Sequence, residues 1–113
     1  MDKLTRYRTL IKQAMSDRAE LMRSQPLPGE EVVCVLNDET DNYLLLRLGW
    51  VRGRRLNSVT LHIRLLQGCV SIEQDWTDDF VTDLIDSGVS RDDLVFAVTT
   101  PPEMHPHTEF AVA

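Results

Sequence analysis

Cysteine is scarce in this chain, which has only Cys34 and Cys69 among its 113 residues. Two cysteines cannot build the dense disulfide framework of a small secreted domain, and each of them lies inside a strand-like run. They could face each other on adjacent strands and form one bond, but a chain without a secretion signal usually keeps its thiols reduced. We therefore expect two buried, unreactive cysteines.

Long apolar runs are missing as well. No stretch approaches the length that a helix needs to cross a membrane, and residues 1–6 lack the apolar segment of a signal peptide. Hydrophobic residues make up 42% of the chain and charged residues 27%. This composition and length predict a single globular domain over residues 1–113, with one modest core. We expect a cytoplasmic protein that does not act at a membrane.

Motifs of catalysis and metal binding are also lacking. The sequence has no CxxC, HExxH, GxSxG or glycine-rich phosphate loop, and His105 with His107 supplies at most two metal ligands. A cluster of acids could in principle hold Mg²⁺ for DNA cleavage; it comprises Glu73, Asp75, Asp78 and Asp79. Nucleases of the restriction type also need a lysine beside their carboxylates, and the only lysines, Lys3 and Lys12, lie far away in the sequence. We therefore expect no enzyme activity, no metal and no cofactor.

The spacing of the apolar residues predicts an α+β fold. Helical spacing extends over residues 2–22 and ends before Pro26 and Pro28. Four strand-like runs joined by short polar turns follow, and such short connections predict an antiparallel meander. These runs cover residues 31–36, 43–51, 57–66 and 69–75. A second helix over residues 77–87, a fifth strand over residues 94–98 and a docked C-terminal tail complete the predicted fold.

Alternation along the second and third strands predicts which side chains share a face. One side of the second strand carries Leu44, Leu46, Leu48 and Trp50, and one side of the third carries Val59, Leu61, Ile63 and Leu65. The opposite sides mix apolar and polar residues, so a second layer or a second subunit is expected to cover them. We expect a homodimer or larger assembly. The candidate interface residues are Tyr43, Trp50, His62, His105, His107, Phe110 and Val112.

Charge is distributed very unevenly along the chain. Residues 43–68 contain no acid and five arginines, so this segment, which we call the arginine hairpin, has a charge of +5 in a chain of net charge −6. Residues 73–93 contain eight acids and one arginine. The arginines could bind phosphate or the carboxylates of a partner, or they could pair with the protein's own acidic helix, within or between subunits. The candidate residues are Arg47, Arg52, Arg54, Arg55 and Arg64.

Short motifs in a fixed order extend over nearly the whole chain and resemble those of the XisI family, known as controlling factors for excision of the fdxN DNA element. They are DKL at residues 2–4, YR at 7–8, YLLLRLGW at 43–50, RR at 54–55, LHI at 61–63, IEQD at 72–75, TDD at 77–79, DL at 83–84, GV at 88–89, DDLV at 92–95, PPE at 101–103 and FAVA at 110–113. The chain departs from the family pattern at His105, His107 and Glu109.

This resemblance implies an XisI-like α+β fold and a non-enzymatic accessory factor. It also implies a companion protein of the XisH type and action beside a site-specific recombinase, by contacts between proteins. Two alternatives remain open. The protein could bind the element DNA directly, as a recombination directionality factor, or it could be an antitoxin-like or chaperone-like partner of a nuclease-fold protein.

Overall fold

An amphipathic helix opens the structure, a computed structural model that describes residues 2–77 and 79–97. This helix, α1, comprises Lys3–Arg23 and is capped by the Asp2 carboxylate, which accepts a hydrogen bond of 2.7 Å from the backbone N–H of Thr5. Its buried side chains recur at every fourth position: Tyr7, Ile11, Met15 and Ala19. That spacing turns a single stripe of the helix towards the sheet.

Five strands form one sheet in the order β1-β2-β3-β4-β5. The strands are β1 (Glu30–Asn37), β2 (Asn42–Val51), β3 (Arg54–Leu66), β4 (Cys69–Asp75) and β5 (Leu94–Phe96). The first four are antiparallel, whereas β5 lies parallel to β4, because helix α2 (Phe80–Ser87) and a short 3₁₀ turn (Arg91–Asp93) carry the chain back along the sheet. The predicted helix, meander, second helix and fifth strand are thereby confirmed.

Both helices pack against the same face of the sheet. The buried core joins side chains of α1 to Phe80 and Leu84 of α2 and to one row from each of the first four strands. The strand residues of this core are Val32, Tyr43, Leu45, Leu61, Ile63, Leu65, Val70 and Ile72. We call the side of the sheet that carries α1 and α2 the helix face, and the opposite side the outer face.

A β-bulge in β3 overturns the predicted grouping of Val59 with Leu61. Leu45 pairs with Leu61, but the next residue of β2, Leu46, pairs with Val59, so Thr60 is an extra residue in β3. Residues that pair across adjacent strands share a face of the sheet. Val59 therefore lies on the outer face beside Leu46, while Leu61 lies on the helix face beside Leu45.

The two cysteines are both free and lie on strands that are not neighbours. Both are partly exposed, so the prediction that they are buried was wrong. Cys34 lies on β1 and Cys69 on β4, and β2 and β3 separate them. Burial raises the pKa of the Cys34 thiol, which keeps it protonated and unreactive at neutral pH. Within the described residues, no helix is long and apolar enough to cross a membrane. The predicted docked tail, with His105, His107, Phe110 and Val112, lies outside the described residues.

Candidate partner-binding site at the arginine hairpin

The tip of the arginine hairpin is a two-residue turn between β2 and β3. Arg52 and Gly53 both have positive φ, 53° and 76°, which is the backbone of a type I′ turn and matches the twist of the two strands. Val51 and Arg54 form the last pair of the ladder. The turn therefore presents Arg52 and Arg54 to solvent at the end of the sheet, and both are exposed.

The base of the tip is held by a close crossing of two glycines. A Cβ atom on Gly49 would collide with the carbonyl oxygen of Gly29, and one on Gly29 would collide with that of Trp50. The same Gly29 oxygen accepts a hydrogen bond of 3.2 Å from the Trp50 N–H. The crossing thus holds the backbone of Trp50 in place while its indole remains 63% exposed.

Arg55 is fixed more firmly than its two neighbours at the tip. Its Nη1 donates a hydrogen bond of 2.9 Å to the carbonyl oxygen of Gly49, and it pairs with Trp50 across the ladder. Cross-strand pairs share a face, so Arg55 and Trp50 stand side by side at the end of the outer face. Tryptophan and arginine are enriched in the residues that contribute most to protein–protein binding.

An apolar concavity adjoins the tip. It has a volume of about 600 Å³ and is lined by Leu27, Pro28, Val51 and Arg52. Leu27 is half exposed. From the sequence, residues 24–29 are only a helix-terminating segment, because their apolar members carry no periodic pattern. Their place beside the arginines depends on the path of the chain into β1, which the sequence does not reveal.

The five candidate arginines do not form one patch. Arg52, Arg54 and Arg55 lie at the tip, whereas Arg64 pairs with Asn42 at the opposite end of β2, roughly 30 Å away at about 3.3 Å per residue. Arg47 belongs to the helix face, with its Nε 3.6 Å from the buried carboxylate of Glu30, too far for a hydrogen bond. The structure therefore reduces the candidate anion-binding group to the three tip arginines.

Arg47 also lines a second concavity, between α1, the segment that precedes α2 and the sheet. This cleft has a volume of about 460 Å³, and its walls include Arg18, Thr60 and the largely exposed Trp76. Arg18 is engaged there, because its guanidinium donates bonds of 2.7 Å to both Asp79 and Asp83. The carboxylates of Asp79, Asp83 and Glu30 lie close to the two arginines of the cleft. The cleft therefore has no excess of positive charge that would attract an anion.

In the described residues, helix α1 supplies most of the cations that pair with acids of other elements, and Arg47 with Glu30 is the one such pair of the arginine hairpin. Arg18 pairs with Asp79 and Asp83 at α2. Three further pairs are Lys3 with Asp93, Arg8 with Asp41, and Lys12 with Asp38. Across residues 2–77 and 79–97, no hairpin arginine forms an ion pair with α2, and Arg52 and Arg54 form none at all. The alternative that the hairpin pairs with the acidic helix of its own chain therefore finds no support in the described residues.

Two of the predicted interface residues on β2 and β3 have structural partners. Tyr43 is completely buried, and its hydroxyl donates towards the carboxylates of Asp38 and Asp41 at 3.0 and 2.9 Å. It therefore offers no surface to a partner, and its assignment to an interface was wrong. His62 lies on the outer face with Nε2 2.8 Å from the Asn42 side-chain oxygen. Burial lowers the pKa of His62, against the opposing effect of Glu73, so the imidazole is neutral at pH 7.

Some of the acids that could have bound Mg²⁺ have other partners in the structure. Among residues 2–77 and 79–97, no three His, Cys, Asp or Glu side chains are arranged to hold a metal ion. Asp75 instead accepts bonds of 2.7 and 2.5 Å from the N–H and hydroxyl of Thr77, and Asp79 binds Arg18. These contacts account for two of the four acids that could have formed a Mg²⁺ site.

Comparison with known proteins identifies the family. The family model described as XisI protein matches residues 1–112. This chain belongs to the XisI family. A solved structure of the fdxN element excision controlling factor XisI from Anabaena variabilis is similar to it, with 26% identity and a TM-score of 0.78 over 92% of this chain and 100% of that one.

A second XisI-like protein from the same organism has 25% identity and a TM-score of 0.80, over 87% of this chain and 89% of its own. No curated protein matches the chain. The XisI fold predicted from the ordered motifs is therefore confirmed, and the chain is a homologue of an fdxN element excision controlling factor.

Proposed function

We propose that this XisI-family protein is a non-enzymatic, cytoplasmic accessory factor that binds a companion protein through the tip of the arginine hairpin. The observation that carries the proposal is the pair Arg52 and Arg54, which are exposed and have no acidic partner among the described residues. Trp50 and the Leu27 concavity lie beside them. Together they offer an apolar anchor next to free cations, which suits an acidic surface with a protruding apolar side chain.

A companion of the XisH type is the partner that the family resemblance favours, and control of DNA element excision is the process in which the pair would act. The arginines of the tip favour a partner with an acidic surface. Each guanidinium can form two parallel hydrogen bonds with a carboxylate, and such contacts set both the rate of encounter and the choice of partner.

The test compares two double variants of equal charge. Arg52→Gln/Arg54→Gln and the control Arg6→Gln/Arg91→Gln each lower the formal net charge by two, but only the first changes the hairpin tip. By isothermal titration with the companion, we expect the hairpin variant to bind at least about tenfold more weakly and the control to bind within about twofold of the unsubstituted protein. Equal affinities for the two variants would contradict the proposal.

Direct binding to DNA is the second candidate, because unpaired arginine forks also suit phosphate. A net charge of −6 opposes it, since a protein that binds DNA broadly presents a net basic surface. The two candidates differ in their response to salt. Binding of element-end DNA, measured by fluorescence anisotropy, should fall steeply between 50 and 200 mM salt if phosphate contacts carry it; absence of binding at low salt removes this candidate.

A further inference from the structure

The outer face of the sheet carries a continuous apolar surface across β1, β2 and β3. The pairings Val33 with Leu46, Val35 with Leu44, and Leu46 with Val59 place these side chains next to one another. All are partly exposed in the single chain, and Val35 is 40% exposed. We call this group, completed by Leu48 on the same row of β2, the outer patch.

Neither of the two described helices covers the outer patch. The side chains of α1 and α2 pack into the core on the helix face, and no member of the outer patch belongs to that core or packs against it as a partly buried residue. A sheet of this kind is stable in water when a second layer covers its other apolar face. Sheet against sheet is one such arrangement, with the two layers about 10 Å apart.

The charges around the outer patch indicate what kind of layer fits. Arg55 stands at one end, beside Trp50, and Arg64 stands at the other, across from Asn42. Glu31 pairs with Leu48, and Glu73 accepts a hydrogen bond of 2.5 Å from Ser71, which pairs with Arg64. Two arginines and two glutamates thus surround an aliphatic centre, whereas the chain as a whole has a net charge of −6.

We propose that the outer patch is the interface of a homodimer, in which the outer faces of two copies pack against each other. A second copy brings the same aliphatic centre and the same balanced rim, so the two surfaces meet without burying net charge. His62 also lies on this face and is neutral and hydrogen-bonded to Asn42, which suits burial. The free arginines Arg52 and Arg54 project from the end of the sheet and remain available to a companion.

The isolated protein provides the test, because the proposed dimer needs no other partner. Multi-angle light scattering at about 100 µM should give a mass of about twice the 12.9 kDa of one chain. Leu46→Glu, at the centre of the outer patch, should reduce the mass to that of one chain, because two carboxylates would meet in an apolar interface. The matched control, Leu21→Glu on the exposed side of α1, should leave the mass of the dimer unchanged.

A second variant separates loss of the interface from loss of the fold. Val35→Lys changes a residue that is already 40% exposed in the single chain, so it should retain the circular dichroism of the unsubstituted protein while the mass falls. A single-chain mass for the unsubstituted protein would overturn the proposal, as would a dimer that persists in folded Leu46→Glu or Val35→Lys. Because no companion is present, these outcomes do not depend on whether the hairpin tip binds one.

Discussion

Gly29 and Gly49 are the residues on which the geometry of the arginine hairpin depends most directly. Both have positive φ, 84° and 134°, and their backbones approach so closely that neither has room for a side chain. The crossing fixes where β1 begins relative to the end of β2. It therefore also fixes where Leu27 and Trp50 stand relative to the arginines.

Substitution of Gly49 should damage both stability and the hairpin. In Gly49→Ala the new methyl group collides with the backbone of Gly29 and the residue is forced into a left-handed conformation, so we expect a loss of about 3 kcal/mol in urea unfolding. The matched control is Gly53→Ala, where φ is also positive but no atom lies within 4 Å of the added Cβ. That change should cost only about 1 kcal/mol. Equal losses would show that the crossing does not constrain the fold.

At the scale of elements, α1 is held to the rest of the fold by a row of ion pairs along its polar side. Lys12 reaches Asp38, and Arg8 holds Asp41 through two hydrogen bonds of 2.7 and 3.0 Å. Near the start of the helix, Tyr7 donates a bond of 2.5 Å to Asp93. The acids that α1 contacts come from the β1–β2 turn and from the segment before β5, so the helix ties distant parts of the chain together.

These contacts predict that the fold weakens in acid. Hydrogen bonds lower the pKa of each acid below its ordinary value: the bond from Arg8 for Asp41, from Lys12 for Asp38 and from Tyr7 for Asp93. A carboxyl whose pKa is lowered by folding stabilises the fold above its unfolded pKa, near 4, and loses that contribution as the pH falls through its folded pKa. The melting temperature should therefore be constant from about pH 7 to 5 and fall progressively below about pH 5.

Asp41→Asn tests the Arg8–Asp41 pair, which is less exposed than the Lys12–Asp38 pair of the same turn. At pH 7 the variant should melt about 5 °C lower, because the amide loses the charge that Arg8 binds, and the fall of its melting temperature in acid should be smaller. Glu39→Gln is the control, since Glu39 lies in the same turn, is exposed and has no ion pair in the described part of the chain. An identical pH profile for Asp41→Asn and the unsubstituted protein would exclude this pair as a source of acid sensitivity.

At the scale of the whole molecule, the uneven charge of the sequence gives each surface a different charge balance. Cations of α1 neutralise acids of the turns and of α2, the outer patch carries a balanced rim, and the hairpin tip retains positive charge that nothing in the described residues neutralises. Two surfaces therefore differ in chemistry: an apolar face suited to a second copy, and a basic tip suited to an acidic companion.

Substitutions at the hairpin tip should weaken binding of the companion without affecting the dimer, and substitutions in the outer patch should do the reverse. Arg52→Gln/Arg54→Gln should bind the companion poorly while keeping the mass of a dimer, and Leu46→Glu should be monomeric while each chain still binds the companion with an affinity within about threefold. Light scattering and isothermal titration on the same two preparations check this. If either variant lost both properties while remaining folded, the hairpin tip and the outer patch would form a single interface.

Much of the architecture was predictable from the sequence because its determinants are local. The helical spacing of apolar residues in α1, the two prolines after it, and the short polar turns between strand-like runs each act within a few residues. The absence of acids between residues 43 and 68 is likewise visible without a structure. The ordered motifs led to the XisI family, which the family model and the solved structures confirm.

The tertiary structure decided what depends on contacts between distant residues. One extra residue, Thr60, moves Val59 to the outer face, and alternation along a single strand cannot reveal a bulge that is defined only by pairing with β2. The same holds for charge: the sequence shows which residues are arginines and aspartates, but only the fold shows that Arg18 is the cation that holds α2. The sequence by itself determined the elements, the family and the arginine hairpin. The packing of the elements against one another determined which arginines lie beside acids and which, like Arg52 and Arg54, have no acidic partner in the described part of the chain, because these contacts join residues that are distant in the sequence.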